Sequence, residues 1–384
     1  MSSLVCKFNR RLEKLKERMA IYRRSKSQYQ LSFLESYRRL AWLKEKQGYR
    51  VHEAFRIGLL DPKLKKEQFD RFISRKQLIE VQSKLSPVRL ASLLSDKAQF
   101  TLYTDALGFP TPKVLGMLWP RYSGVDEHGK SLSQVSDWIQ YFDARLTGEF
   151  VTKSCGDHYG ASVCLYKRVG DEFENLASHQ RFSVEGLYAE LLIQGRKHGV
   201  IIQERVRNHP ALIELSQNET LQTIRVVTFI DGSDNLTVLH ALFRPVATDE
   251  VIDNYNNYDG GVLLARVDVD SGKIIRTHFM RDDIPGASIV DKHPATGVRF
   301  SGFQLPDWDA AMDCIREAAF KMRPMRTVGW DLALTPSGPV IIEGNAFFNT
   351  NYLYGDSKTR LFDELARQGH SIRYPDNCPP WLAK

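Results

Sequence analysis

The sequence predicts an α/β (α+β) body preceded by a basic helical N-terminal region. Three observations carry that reading. Apolar residues recur at steps of three and four through the first fifty positions. Beyond them, helix-like stretches alternate with short strand-like runs set off by Gly, Pro and Asp. Near the C-terminal end, Arg326-Thr-Val-Gly-Trp-Asp331-Leu-Ala-Leu-Thr-Pro-Ser-Gly-Pro-Val-Ile-Ile-Glu343-Gly-Asn345 reads as a hairpin with an acid on each strand.

Length and composition bound the rest. A chain of 384 residues allows two or three domains and a sizeable core. No apolar run reaches the roughly 18 residues of a spanning helix, and the N-terminus lacks the apolar stretch of a signal peptide. Cys6, Cys155, Cys164, Cys314 and Cys378 are scattered and form no CxxC pair, which argues for a reducing compartment and against a zinc site. A cytoplasmic protein is the expectation. The net charge of +7 is unevenly distributed: residues 1–85 hold 22 Lys and Arg against 9 Asp and Glu, and the remainder 31 against 37.

In the basic part, Leu12, Leu15, Met19 and Tyr22 form one helical stripe, and Tyr29, Phe33, Tyr37, Leu40 and Leu43 another. Gly48 stops the run, and 49–84 continues in short helical pieces broken at Asp61-Pro62. The stripes can pack on the body, or they can meet an anionic membrane or an acidic partner protein. Nucleic acid is not expected, because no zinc-finger or RRM signature is present.

The body begins at Ser95-Asp96, either of which can cap a helix over 99–106. A strand over 113–116, a polar loop over 123–130 and an amphipathic helix over 131–146 follow. The stretch 150–163 reads as strand, small-residue loop, strand. Gly156, Gly160, Ala161 and Ser162 would let backbone N–H groups approach an anion, and Lys153 at the strand end could reach a phosphate. Neither a Walker A nor a Rossmann fingerprint is present; a hairpin turn with a surface lysine is the plain alternative.

A strand over 199–206 ends in Gln203, Glu204, Arg205 and Val206, whose backbone could meet an adenine edge. Strands over 221–230 and 236–244 flank an Asp231-Gly232 turn. Thr223 and Arg225 share one face, as do His240 and Arg244. Arginines projecting from a sheet want anions, phosphate above all, unless they simply face solvent. Asp253-Asn254 and Gly260-Gly261, a hairpin around Ser271-Gly272 and a helix over 308–322 lead into the acidic hairpin. There Thr-Pro-Ser-Gly makes the turn. Asp331, Glu343 and Asn345 then offer two carboxylates and an amide oxygen, a donor set suited to Mg²⁺ with substrate phosphates; solvated acids on a hairpin are the alternative.

The order of these pieces resembles the ATP-grasp superfamily. The closer likeness is to its sugar-transfer-associated group, through Leu221-Gln-Thr-Ile-Arg-Val-Val-Thr, Asp253-Asn254…Gly260-Gly261, Gly329-Trp-Asp-Leu-Ala and Ile342-Glu-Gly-Asn, over roughly residues 30–365. The resemblance implies that nucleotide lies between two α+β subdomains. By position, Lys97, Lys153 and the 156–162 loop would hold the phosphates, and Gln203, Glu204, Arg205 and Val206 the adenine. Arg225 and Arg244 would neutralise the transferred phosphoryl group, and Asp331, Glu343 and Asn345 would bind two Mg²⁺ ions. Two departures stand out: Thr223 occupies the place where related ligases often carry an acid for the ribose, and Asn345 runs into Ala-Phe-Phe rather than a Pro-Gly substrate loop.

The expected organisation is a basic helical region over 1–85, a small α/β subdomain over 86–146 and an ATP-grasp domain over 147–384, with its nucleotide lid at 147–206. The implied activity is ATP- and Mg²⁺-dependent carboxylate–amine ligation through an acyl phosphate, on a surface-polysaccharide uronic acid or related precursor. The expected partners are a small-molecule or glycan carboxylate and an amine, with the inner membrane face as a docking place for the N-terminal helices. A kinase, or a non-catalytic nucleotide-binding partner of a glycan-assembly complex, are the alternatives.

Overall fold

Local capping signals in the first 85 residues are realised as helices α1 (Ser2–Tyr29), α2 (Phe33–Gln47), α3 (Val51–Arg56), α4 (Lys66–Phe69) and α5 (Arg75–Leu85). Ser32 starts α2 with a capping box: its hydroxyl accepts from the Glu35 N–H at 3.2 Å, and its own N–H donates to Glu35 Oε2 at 2.8 Å. Gly48, at φ +75°, ends it in the left-handed conformation that Gly adopts without Cβ strain. The computed structural model describes residues 2–121, 123–156, 162–247, 261–281, 284–349, 356–371 and 379–382, with backbone alone at 2–11, 13, 14, 356 and 357. The chain divides into two units, one of residues 1–85, 278–289 and 348–384, the other of 86–277 and 290–347.

In the first unit, Ile21, Leu31, Leu40, Leu43, Tyr49, Phe55, Leu59, Leu60 and Phe69 form the core. The stripes read from sequence are fully buried only at Leu40 and Leu43. Leu12, Leu15, Met19, Phe33 and Tyr37 are exposed. The chain breaks at Gln30 (φ +57°) between α1 and α2, so the buried face does not run through as one periodic stripe.

The second unit opens with a 3-10 turn (Val88–Leu90), α6 (Ser92–Ser95) and α7 (Lys97–Ala106). Asp96 caps α7, accepting from the Gln99 N–H at 2.9 Å. Then come β1 (Val114–Leu118), β2 (Gly124–Asp126), β3 (Ser131–Leu132), α8 (Val135–Arg145), β4 (Glu149–Ser154), β5 (Cys164–Val169), β6 (Glu172–Asn175), β7 (Arg181–Phe182), α9 (Val184–Gln194) and β8 (Val200–Glu204). The expected polar loop over 123–130 carries β2, and the helix expected from 131 starts only at Val135, because Ser131 and Leu132 pair with β2. The sheet order is β3-β2-β1-β8-β4-β5-β6-β7. Trp138, Phe142, Leu187 and Leu191 from α8 and α9 cover Phe150, Tyr166, Phe173 and Ile202.

The chain continues through α10 (Pro210–Ser216), β9 (Thr223–Ile230), β10 (Leu236–Phe243), β11 (Val262–Val267), β12 (Ile274–Met280), β13 (Ala287–Val290), α11 (Trp308–Lys321), β14 (Thr327–Thr335) and β15 (Gly338–Asn345), ending in α12 (Asp356–Arg367). The second sheet has the order β13-β12-β11-β10-β9-β14-β15, and α11 packs on β9, β10, β14 and β15. All nine residues of β14 are buried, although only β15 lies between it and the sheet edge.

Candidate active site

Pairing across the second sheet determines which side chains share a face. Asp331 on β14 lies opposite Arg225 on β9 and opposite Glu343 on β15. Arg225 lies opposite Leu242 on β10, which lies opposite Arg266 on β11. Residues directly opposite in antiparallel strands point to the same side. One row across five strands therefore reads Glu343, Asp331, Arg225, Leu242, Arg266. The adjacent row on the same face holds Asn345, Gly329, Val227 and His240. A bulge at Ile342 falls beside Glu343, and another at Leu239 beside His240.

Asp331 is the electrostatic centre of this face. Arg225 grips it with two bonds, Nε to Oδ1 at 2.5 Å and Nη2 to Oδ2 at 3.0 Å. Arg244 adds a third, Nη2 to Oδ1 at 2.6 Å. Burial pushes the Asp331 carboxyl up, but the two guanidinium charges outweigh it and hold the acid ionised, well below the usual carboxylate range. Both arginines, aimed at phosphate by the sequence reading, are thus engaged with Asp331. A guanidinium has five N–H donors and Asp331 takes two of those on Arg225, so others remain for a ligand.

Glu343 shows the opposite behaviour. Burial, then the charge of Asp331 and a shared hydrogen bond with it, push its carboxyl up, opposed by Lys97 and Arg225. Asn345 donates from Nδ2 to Glu343 Oε1 at 3.2 Å, leaving the amide oxygen as a donor atom for a cation. Among the described residues no group of three or more His, Cys, Asp or Glu is gathered for a metal. Two carboxylates and an amide fit Mg²⁺, which takes only one or two carboxylates from the protein and completes its shell with water and phosphate. A partly buried acid raised by its acidic neighbour is a site that a divalent cation would relieve.

Two lysines, Lys153 on β4 and Lys97 at the start of α7, are coupled electrostatically to this cluster. Lys153 on β4 feels Glu343, Lys97 and Asp331; burial lowers it to about 8, with the two acids opposing. The Lys97 N–H, at the start of α7, donates to the Cys155 carbonyl at 2.9 Å, which docks that helix end on the end of β4. Of the small-residue loop, Gly160 and Ala161 lie outside the described residues, as do Asp253, Asn254 and Gly260. Ser162 closes back on β4, its hydroxyl accepting from the Ser154 N–H at 3.3 Å. A Cβ on Gly156 would stand 2.6 Å from the His198 ring, so packing alone already requires glycine there.

At the end of β8, Gln203 is buried and donates from Nε2 to the Pro112 carbonyl at 3.3 Å. Glu204 pairs with Lys113 at 3.3 Å. Arg205 is held by Glu149 at 2.7 Å and Glu219 at 3.3 Å. The side chains of 203–205 are thus engaged within the protein, and Val206 follows just beyond the strand. The Glu204 N–H also donates to the Lys113 carbonyl at 2.9 Å, and the Glu204 side chain is half-exposed.

Gly344 sits between the two β15 ligand candidates. A Cβ there would meet Leu94 Cδ2 at 2.8 Å and Phe100 Cε2 at 3.0 Å. Gly344→Ala should cost about 1–3 kcal/mol through overpacking and displace Glu343 and Asn345 together. A melt and an ATP titration check this; unchanged values in both would count against tight packing at β15.

Sequence reasoning missed Arg266. Nothing in Leu-Leu-Ala-Arg-Val distinguishes it, and only strand pairing brings it into the row of Arg225.

Two antiparallel sheets with covering helices, a lysine on one sheet and another at the start of α7, and an acid–amide hairpin on the other sheet define the ATP-grasp class of fold. The chain belongs to the family described as sugar-transfer associated ATP-grasp, whose profile matches residues 76–355. Among solved structures it is similar to a D-cycloserine synthetase (16% identity, 74% of this chain and 73% of that one, TM-score 0.39). It is similar also to the D-Ala:D-Ser ligase of Enterococcus faecalis (16% identity, TM-score 0.40), covering 72% of this chain and 62% of that one. A third is the D-alanine–D-alanine ligase of Bacillus anthracis (12% identity, 72% and 68% covered, TM-score 0.39). These likenesses concern the fold. No curated protein matches the chain.

Proposed function

We propose that the protein is an ATP- and Mg²⁺-dependent carboxylate–amine ligase that works through an acyl phosphate. One observation carries the reading: Asp331, Glu343 and Asn345 form an oxygen donor set with Lys97 and Lys153 on one side and Arg225 and Arg244 on the other. Lys97 and Lys153 bind nucleotide phosphates. Asp331, Glu343 and Asn345 would hold Mg²⁺, two ions in this reading, which would supply charge neutralisation at the phosphates. Arg225 and Arg244 keep Asp331 ionised, and the remaining donors of Arg225 meet charge on the transferred group. A substrate carboxylate oxygen attacks the γ-phosphorus as the bond to ADP breaks. The amine nitrogen then attacks the acyl carbon, inorganic phosphate leaves, and the nitrogen loses a proton. Positioning and preorganised charge do this work without a protein nucleophile.

The family's description as sugar-transfer associated supports a glycan-linked carboxylate, such as a uronic acid of a surface-polysaccharide precursor. ATP consumption with Mg²⁺ over panels of uronic acids, amino acids and amines tests the activity. ADP, free phosphate and a product one water lighter than the two substrates are expected. A product heavier by a phosphoryl group, with no free phosphate, would make the protein a kinase instead. Binding of ATP without turnover across the panels would favour a nucleotide-binding partner.

The N-terminal helices suit a peripheral membrane role. Leu15, Met19 and Tyr22 follow helical spacing, and the Tyr22 ring meets Phe33 on α2 with centroids 4.5 Å apart. Leu12, Leu15, Met19, Phe33, Leu34 and Tyr37 are exposed, Leu15 by 58%. Exposed Lys16, Arg18, Arg23, Lys26 and Arg38 lie along the same helices. No described helix is long and apolar enough to cross a membrane, so such a ridge would lie in the interface. Leu15→Glu with Phe33→Glu should weaken flotation with phosphatidylserine-containing vesicles by tenfold or more, on the order expected for losing apolar insertion and adding acidic charge. Deleting 1–45 is the poorer test, because it strips Ile21, Leu40 and Leu43 from the core. Equal flotation of wild type and variant would rule the ridge out.

A further inference from the structure

Beyond the phosphoryl-transfer end of the row, the site face continues over β10 and β11. His240 is 8% exposed, and its Nδ1 is buried with no hydrogen-bond partner among the described residues. Buried polar nitrogen is retained in a fold where something supplies a partner. Arg266 is exposed on this same face. The nearby acid, Asp268, is occupied by its own turn, accepting from the Ser271 hydroxyl at 2.7 Å and the Ser271 N–H at 2.8 Å. Arg225 and Arg244, by contrast, share the Asp331 carboxylate. Leu242, in the row between Arg225 and Arg266, provides an apolar step between two polar ends.

We propose that Arg266 and His240 form a subsite for a carboxylate carried by the amine substrate, which makes that substrate an amino acid in the broad sense. Its identity as the amine rests on the ligase reading; the anion subsite itself does not. The lysines lie beside Glu343 at the β15 side of the row, so nucleotide and departing phosphate belong there. The amine approaches over the plane of the acyl carbonyl, and with nucleotide and phosphate on the β15 side the β10–β11 side of the face is the one left for its body. Arg225 and Arg266 are two strand spacings apart, about 10 Å, enough for a small substrate body between the reacting carbon and the guanidinium. Arg266 presents fixed paired donors to a carboxylate. His240 supplies one more contact through Nδ1, and the charges of Arg225 and Arg266 add to burial in keeping its imidazole neutral.

Two measurements on the full chain separate this proposal from the reading on which it partly rests. The first titrates ¹³C-labelled acetate into protein saturated with MgADP and follows it by NMR, for wild type, Arg266→Ala, Arg266→Lys and His240→Ala. Acetate binding should weaken tenfold to a hundredfold in Arg266→Ala, the range for a lost charge-assisted bond, and recover in part in Arg266→Lys. Acetate binding that is absent from wild type, or unchanged in Arg266→Ala, overturns the subsite. The second offers amines as matched pairs, each amino acid beside its carboxamide, in the ATP assay. Wild type should prefer the free acid. Arg266→Ala should raise KM for the acid about as much as it weakens acetate, with kcat nearly kept and the carboxamide hardly affected. Equal loss with both members of a pair overturns the assignment to the amine. No ATP consumption with any pair, alongside Arg266-dependent acetate binding, overturns the ligase reading and supports the subsite.

Discussion

Glu343→Gln is expected to lower ATP turnover by about a thousandfold or more, the scale on which preorganised charge stabilisation contributes, while leaving the folded protein at least as stable. The two effects have opposite signs for one reason. Glu343 is partly buried beside Asp331, and both desolvation and that neighbour oppose its ionisation. In the absence of a cation the carboxylate is a liability, and an uncharged amide of the same shape removes it. With a cation and nucleotide phosphates present, the same carboxylate is the ligand. The sign in pH follows. A carboxyl whose folded pKa is raised above its ordinary 4.5 gives stability that is present below that value and is lost as pH rises through the raised one. The part of the stability that Glu343 contributes should therefore be lost as pH climbs above about 4.5, and Glu343→Gln should remove that part of the pH dependence. Thermal melts across pH without Mg²⁺, paired with turnover, check both halves. Full activity in the variant would sink the metal assignment.

Asp331→Asn should show the reverse pattern, losing stability along with the activity. Asp331 answers two largely buried guanidiniums through three bonds. Removing one partner of such a cluster leaves charge uncompensated in a poorly solvated place, at about 3–5 kcal/mol. For a domain of this size that is on the order of 10 °C in Tm. Because its folded pKa is depressed, the stability that Asp331 gives is complete at neutral pH and is lost as pH falls through the depressed value. The variant should lack that acid limb. A double-mutant cycle of Asp331→Asn with Arg225→Gln should show coupling, since each single change strands the other group. Additive losses would mean that the two side chains do not act as a pair.

The contrast between these acids was only partly legible in the sequence. Asp331 and Glu343 face each other across β14 and β15 as the hairpin reading requires, because Thr-Pro-Ser-Gly and the flanking β-branched residues are local signals that need no tertiary help. The Asp96 cap, the Gly48 stop and the strands around Arg225 belong to the same category. The bounds that moved were those set by partners: β2 and β3 form from polar sequence because they have a sheet edge to join, and the apolar stripe of α1 and α2 is largely exposed.

What the sequence determined by itself was the fold class, the order of the elements and the residue types from which a phosphate and magnesium site could be built. Those rest on periodicity, caps and turns, each set within a few residues. Tertiary structure alone decided that Arg225 and Arg244 hold Asp331, that Glu343 is the acid raised by its neighbour, and that Arg266 and His240 share the face. The arginine contacts depend on pairing between segments 87 and 106 residues apart, the Arg266–His240 face on pairing of β10 with β11, and the raised Glu343 on desolvation that sets the strength of charges. No spacing in the chain records either.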